Sequence, residues 1–193
     1  FGAGGPLGGL TLPERRAAER PIRQAALQLM AGSQPSTQSA VARRSAEAEL
    51  RSLIARIAPK HQRLIVAMRR SLRKRLPTAH ELVYEYRDWI VISYSPNERG
   101  YEGVLAIRAS ANGVELHFNR GKELPDPEQV LRGSGKQVRS IALEGASTLA
   151  RPAVARLIDE AIARNPVPFA SAGRGPVVIR SASAKRRRPR RPA

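Results

Sequence analysis

The spacing of apolar residues changes period at Pro77, and that change confines the chain to folds that set helices against a sheet. Before it, Ala46, Leu50, Leu53, Ile54 and Ile57 recur at intervals of three and four, the stripe of an amphipathic helix with Ser45 as its N-cap. Pro59 ends that helix or opens the next. Leu64, Ile65, Met68, Leu72 and Leu76 share one side of a second helix, with basic residues around the rest, and Pro77 closes it. Beyond Pro77, residues 82–87 and 89–94 are rich in β-branched and aromatic side chains and read as strands. Turn residues fill 95–100, a third strand covers 102–109, and Asn112-Gly113 is a hairpin turn. Val114, Leu116 and Phe118 alternate with Glu115 and His117 in a fourth strand. A helical turn is expected at 128–132 and a last strand at 136–143. Pro152 opens a closing helix with Val154, Leu157, Ile158, Ala161 and Ile162 on one face, ended by Asn165-Pro166. Short connections make successive strands antiparallel. The expected fold is α+β: an antiparallel sheet of about five strands, with an N-terminal helix pair and a C-terminal helix packed on one face.

Three segments follow. Residues 1–44, with glycines at the start and a short helical stretch over 14–30 broken by Pro21, are expected to be mostly disordered. Residues 45–165 form the α+β domain. Residues 166–193 form a basic tail, in which Val177-Val178-Ile179 has the makings of a short strand near 176–180, added to this sheet or to a partner's. The absence of cysteine excludes disulfides, thiolate metal sites and a cysteine nucleophile. No apolar run has the length of a secretion signal or a membrane span, so a cytoplasmic protein without a membrane partner is expected.

Charge is the second constraint. The chain carries 34 Lys and Arg against 16 Asp and Glu, a net charge of +18. Residues 51–80 hold nine basic and no acidic residues, and residues 174–193 hold eight basic and no acidic ones. Like charges at that density repel unless an anion neutralises them. The first cluster offers a basic helix face of Arg63, Arg69, Arg70, Arg73 and Lys74. The second offers a tail of Lys185, Arg186, Arg187, Arg188, Arg190 and Arg191 that suits non-specific phosphate contact.

A set of short motifs accompanies this pattern: Val83-Tyr84, Ser95-Pro96 with Glu98-Arg99, Leu124-Pro125-Asp126-Pro127, and Gly133-Ser134-Gly135-Lys136 with Arg139. Together with the helices from Ser45 they cover about three-quarters of the chain, and in this combination the chain resembles the YdhG-like family of bacterial domains of unknown function. The resemblance implies a frataxin-like two-layer sandwich. It also brings in a frataxin-like iron chaperone as an alternative function. Iron binding of that type relies on an acidic ridge on the first helix, where this sequence has only Glu47 and Glu49 ahead of its acid-free basic stretch. Hard cations need clustered oxygen ligands, so the iron role is not carried over.

Gly133-Ser134-Gly135-Lys136 is not a P-loop, because Val130 and Gln137 stand where a glycine and a Ser or Thr are required. Gly133 and Gly135 can still expose backbone N–H groups to an anion, with Lys136 and Arg139 adding charge, or simply form a turn into an edge strand. His61, His80 and His117 lack metal-ligand spacing, and His117 and Glu115 share a strand face as a polar pair. Asp159 and Glu160 are adjacent on a helix and diverge. Trp89 is the best placed aromatic for stacking a base, since Ile90 and Ile92 suit the opposite face. No catalytic constellation, metal site or cofactor fingerprint emerges. The expected function is a non-enzymatic binding module for a polyanion such as nucleic acid, with a binder of iron or of small phosphate-bearing ligands as the alternative.

Overall fold

The computed structural model describes residues 37–181. The chain divides into two units, Phe1–Val41 and Ala42–Ala193, and the second holds the sheet. Helix α1, Thr37–Ala55, starts well ahead of Ser45. Ala40, Ala42, Arg43 and Arg44 are strong helix formers and extend it upstream, so the boundary expected between 44 and 45 falls inside a helix. Helix α2, Pro59–Arg75, has its proline in the first turn, where no amide hydrogen is needed, and buries Ile65, Met68 and Leu72.

Five strands follow as an antiparallel meander: β1 His80–Glu85, β2 Trp89–Ser95, β3 Leu105–Ser110, β4 Gly113–Phe118 and β5 Arg139–Ala142. Helix α3, Pro152–Ala163, covers the sheet with Val154, Leu157 and Ile158 inward. A sixth strand, β6 Val177–Ser181, then pairs with β1 in parallel, giving the order β5-β4-β3-β2-β1-β6. The Val177 run thus completes this sheet itself. The fold is α+β, as the pattern implies, with six strands where about five are expected.

Register explains the core. Ile179, Val83, Ile92, Ile107, Leu116 and Ile141 lie opposite one another across all six strands, a continuous apolar row under the helices. The next row on the same face runs Val177, Glu81, Tyr94, Leu105, Phe118. Up to Arg139, which faces Phe118 on the β5 edge, this row is apolar except for Glu81, which is only 1% exposed.

Three local expectations change. Residues 100–102 form a 3-10 turn (Gly100–Glu102), so the third strand begins only at Leu105; the Glu102 carboxylate is held by Asn97 and Arg99. No helical turn forms at 128–132. The Asp126 carboxylate accepts the amides of Val130 at 3.0 Å and Leu131 at 2.8 Å, and Gln129 takes φ +52°, so side-chain hydrogen bonds displace the helical ones. The hairpin register sets Ser110 opposite Gly113, so Ala111 and Asn112 make the turn.

Candidate functional site

Helix α2 sorts the first basic cluster into two faces. Residues 63, 70 and 74 fall within about 40° of one another around the axis, whereas 69 and 73 lie about 60–140° away from them, nearer the core stripe. The structure bears this out in three dimensions. Arg69 turns under the helices, and its Nε donates to Glu81 Oε1 at 2.9 Å. Its Nη2 donates to Glu81 Oε2 and to Glu47 Oε1, both at 2.7 Å. Arg73 Nη1 reaches Glu47 Oε1 at 2.8 Å and Glu81 Oε2 at 2.9 Å. Two guanidinium groups and two carboxylates therefore balance, joining α1, α2 and β1. Burial pushes the Glu47 carboxyl up, but the hydrogen bonds and charges of Arg69 and Arg73 outweigh it and hold the group below the usual carboxylate range. Burial also works against the charged form of Arg69, and its two carboxylate partners raise its affinity for the proton regardless.

Arg69 and Arg73 are thus structural cations, which corrects their placement on an outward basic face. Arg56 likewise pairs with Glu85, and Arg75 with Asp159 at 2.8 Å. The stretch 51–80 is free of acid along the chain but not in space, because strands and a distant helix bring carboxylates to it.

What remains of the cluster gathers in one place. Arg51 on α1 and Arg63, Arg70 and Lys74 on α2 line a single open groove of about 800 Å³ between the two helices. Its lining also includes Ile54, Ala55, Val66, Ala67 and Ser71, and no acidic residue. All four cations are exposed, and among the described residues none has a carboxylate within 4.0 Å. Arg63 to Lys74 spans about 16 Å of helix at 1.5 Å per residue. Small side chains, Ala55, Ala67 and Ser71, lie between the cations.

The other candidates are placed elsewhere. Gly133, Gly135 and Lys136 lie in the loop leading into β5, whose first residue is Arg139, and the Arg132–Ser140 bridge closes that loop. Gly133 takes φ +117°, and Arg139 Nη1 donates to the carbonyls of Gly135 at 2.7 Å and Val138 at 2.8 Å. The loop turns carbonyl oxygens inward onto its own arginine, the opposite of an anion cradle, which needs converging N–H groups. It also lies at the β5 edge, about 24 Å across the sheet from β6. Lys185, Arg186, Arg187, Arg188, Arg190 and Arg191 lie outside the described residues, as does most of segment 1–44.

Trp89 is on the open face of the sheet, but its indole is not free. Tyr86, just past β1, stacks at 5.2 Å, and Arg108 on β3 sits 5.1 Å from the ring centre. Those strands flank β2, so the ring has a neighbour on either side. His117 meets Glu115 at 3.2 Å, and Arg108 reaches the same Glu115 oxygen at 3.0 Å. Asp159 and Glu160 diverge to Arg75 and Arg164. Among the described residues no three of His, Cys, Asp and Glu gather as a metal-holding group, and no helix is long and apolar enough to cross a membrane.

No family model, no curated protein and no solved structure matches this chain. Arg51 is the residue that sequence reasoning left out of the basic face. The signal was present, because only a short link separates α1 from α2 and both turn apolar stripes to one core, so a cation of one can stand across a groove from the cation stripe of the other.

Proposed function

We propose that the Ala42–Ala193 unit is a polyanion-binding module, with nucleic acid the best-fitting ligand class and the α1–α2 groove as its contact face. The observation that carries this reading is the acid-free groove of Arg51, Arg63, Arg70 and Lys74. Unpaired cations on a fixed surface lower the energy of a bound phosphate chain by releasing its counterions. The basic tail from Lys185 to Arg191 adds contacts of the same non-specific kind. The Gln62 amide in the lining is spent on the carbonyls of Ala55 and Ile57, at 3.1 and 2.8 Å, and the cations are spaced for phosphates, so binding is expected to be tolerant of sequence. In this reading the chain is a YdhG-like domain of the cytoplasm, whose basic helix pair stands where an iron-handling relative would carry an acidic ridge.

A salt titration tests it. Four groove cations on duplex DNA contribute a log–log slope of about −3.6, and about five from the tail a further −4.5. The triple substitution Arg63→Gln, Arg70→Gln, Lys74→Gln should flatten the slope by about 2.7. The tail must be cut after residue 181, since β6 runs to Ser181. A slope that the triple substitution leaves unchanged refutes the groove as the contact face.

A further inference from the structure

A second basic cavity lies where α1 meets the approach to β6. It encloses about 230 Å³ and is lined by Arg43, Arg44, Glu47, Arg51, Arg73 and Arg174 together with the backbone of 175–177. We propose that this cleft binds a terminal phosphate group, the mono- or polyphosphate at the end of a nucleic-acid strand or of a free nucleotide. The strand-end form of the proposal rests on the groove reading above, because Arg51 lines both the groove and the cleft and joins them.

Charge supports it first. Glu47 is the only acid in the lining, and its carboxylate is turned to Arg69 and Arg73. That network is neutral as a whole, so Arg43, Arg44, Arg51 and Arg174 face the cavity with no compensating charge, and among the described residues none of them has a carboxylate within 4.0 Å. Four planar forks around one small volume suit the many oxygens of a phosphate group better than a lone cation would.

Rigidity supports it second. The wall from Arg174 to Val177 is pinned: Gly175 N–H donates to Pro77 O at 3.0 Å, and Glu81 N–H donates to Pro176 O at 2.9 Å. Gly175 packs so closely on the Ala79 carbonyl that a Cβ there would collide with it. The opposite wall is a helix, and the floor is the Glu47–Arg73 ion pair. Size is the third point. The volume exceeds several water molecules at about 30 Å³ each, yet falls short of the roughly 300 Å³ at which sites for whole organic ligands begin. It accommodates a phosphate terminus and leaves the rest of the strand to the groove.

The test compares single strands of about 12 nucleotides carrying a 5′-triphosphate, a 5′-monophosphate or a 5′-hydroxyl, by fluorescence polarisation at about 0.15 M salt, with inorganic triphosphate as a separate calorimetric probe. The full chain should bind the triphosphorylated strand about tenfold more tightly than the hydroxyl strand, in keeping with a few charge-assisted hydrogen bonds. Arg44→Gln with Arg174→Gln, both exposed and unpaired positions, should cut that preference below about twofold while leaving affinity for the hydroxyl strand unchanged. Saturable binding of inorganic triphosphate that the same pair of substitutions abolishes, without a strand-end preference, assigns the cleft to free phosphate esters. If neither strand preference nor triphosphate binding depends on Arg44 and Arg174, the cleft is not a phosphate site, while hydroxyl-strand binding through the groove would stand. If the full chain binds none of the three strands yet binds inorganic triphosphate in a way that depends on Arg44 and Arg174, the groove reading is refuted and the cleft stands.

Discussion

Replacing Arg69 by Met separates the structural role of this arginine from the ligand role that its sequence position implies. Methionine keeps most of the apolar stem and removes the guanidinium. Arg73 would then face both Glu47 and Glu81, leaving one cation against two carboxylates, one of them only 1% exposed. Arg69 itself is 15% exposed, so solvent screens little of the loss. Removing one partner of a buried pair costs about 3–5 kcal/mol; the remaining bonds from Arg73 put this case near the lower end, about 3 kcal/mol. For a domain of this size that corresponds to a fall in melting temperature of about 10 °C. The assay is urea unfolding, followed both by helix signal and by the fluorescence of Trp89, the only tryptophan, with coincident curves as the check on two-state behaviour. Arg164→Met is the control, because its partner Glu160 lies on the same helix and both are about half exposed; it should cost a few tenths of a kcal/mol. At temperatures where the variant is folded, its affinity for nucleic acid should equal that of the parent. If Arg69→Met leaves stability within about 1 kcal/mol and weakens nucleic-acid binding instead, the guanidinium serves as a ligand and the reasoning fails.

Three further outcomes are expected. Glu47 and Glu115 are held below the usual carboxylate range, so the native state binds fewer protons than the unfolded chain below about pH 4.5. Stability should therefore fall as the pH drops through that value and on down to the folded pKa, and Arg69→Met should flatten the fall, as read from urea midpoints across the acid range. Burial and the Glu81 charge push the Tyr94 hydroxyl well above its ordinary value, and it has no hydrogen-bond partner in good geometry. Stability should decline above about pH 10, where the unfolded chain ionises first; Tyr94→Phe should abolish that decline and cost less than about 1 kcal/mol at neutral pH. Gly175→Ala must displace the wall of the phosphate cleft. A loss of about 1–3 kcal/mol in thermal melting is expected, with weaker binding of inorganic triphosphate.

The helices and the meander were legible because each follows from local spacing. Leu50, Leu53 and Ile54 recur with a helical period, and Val114, Leu116 and Phe118 alternate, so burial of one face fixes both element and orientation. What was not legible depends on partners far apart in the chain. Glu81 looks like a solvent residue at the head of a strand, and only the Val177–Glu81–Tyr94 register shows that it stands in an apolar row and needs Arg69 and Arg73. The basic face was therefore read one layer too deep, with two of its five cations belonging to the interior. The Gly133–Arg139 loop was ambiguous for a different reason. Glycines permit an anion cradle and a turn equally, and the choice is made by where Arg139 sends its guanidinium, which spacing does not encode.

The parallel strand at the sheet edge has a consequence for how the molecule is made. Its partners Glu81 and Val177 are separated by 96 residues, so at translation rates of about 5–20 residues per second, β1 emerges from the ribosome roughly 5–20 seconds before its neighbour exists. Through that interval the nascent chain presents Leu82 and Val83 on an open, hydrogen-bond-hungry edge. Arg174 arrives with β6, so the groove between the helices can assemble early, whereas the cleft beside β6 closes only once Arg174 and Val177 have emerged.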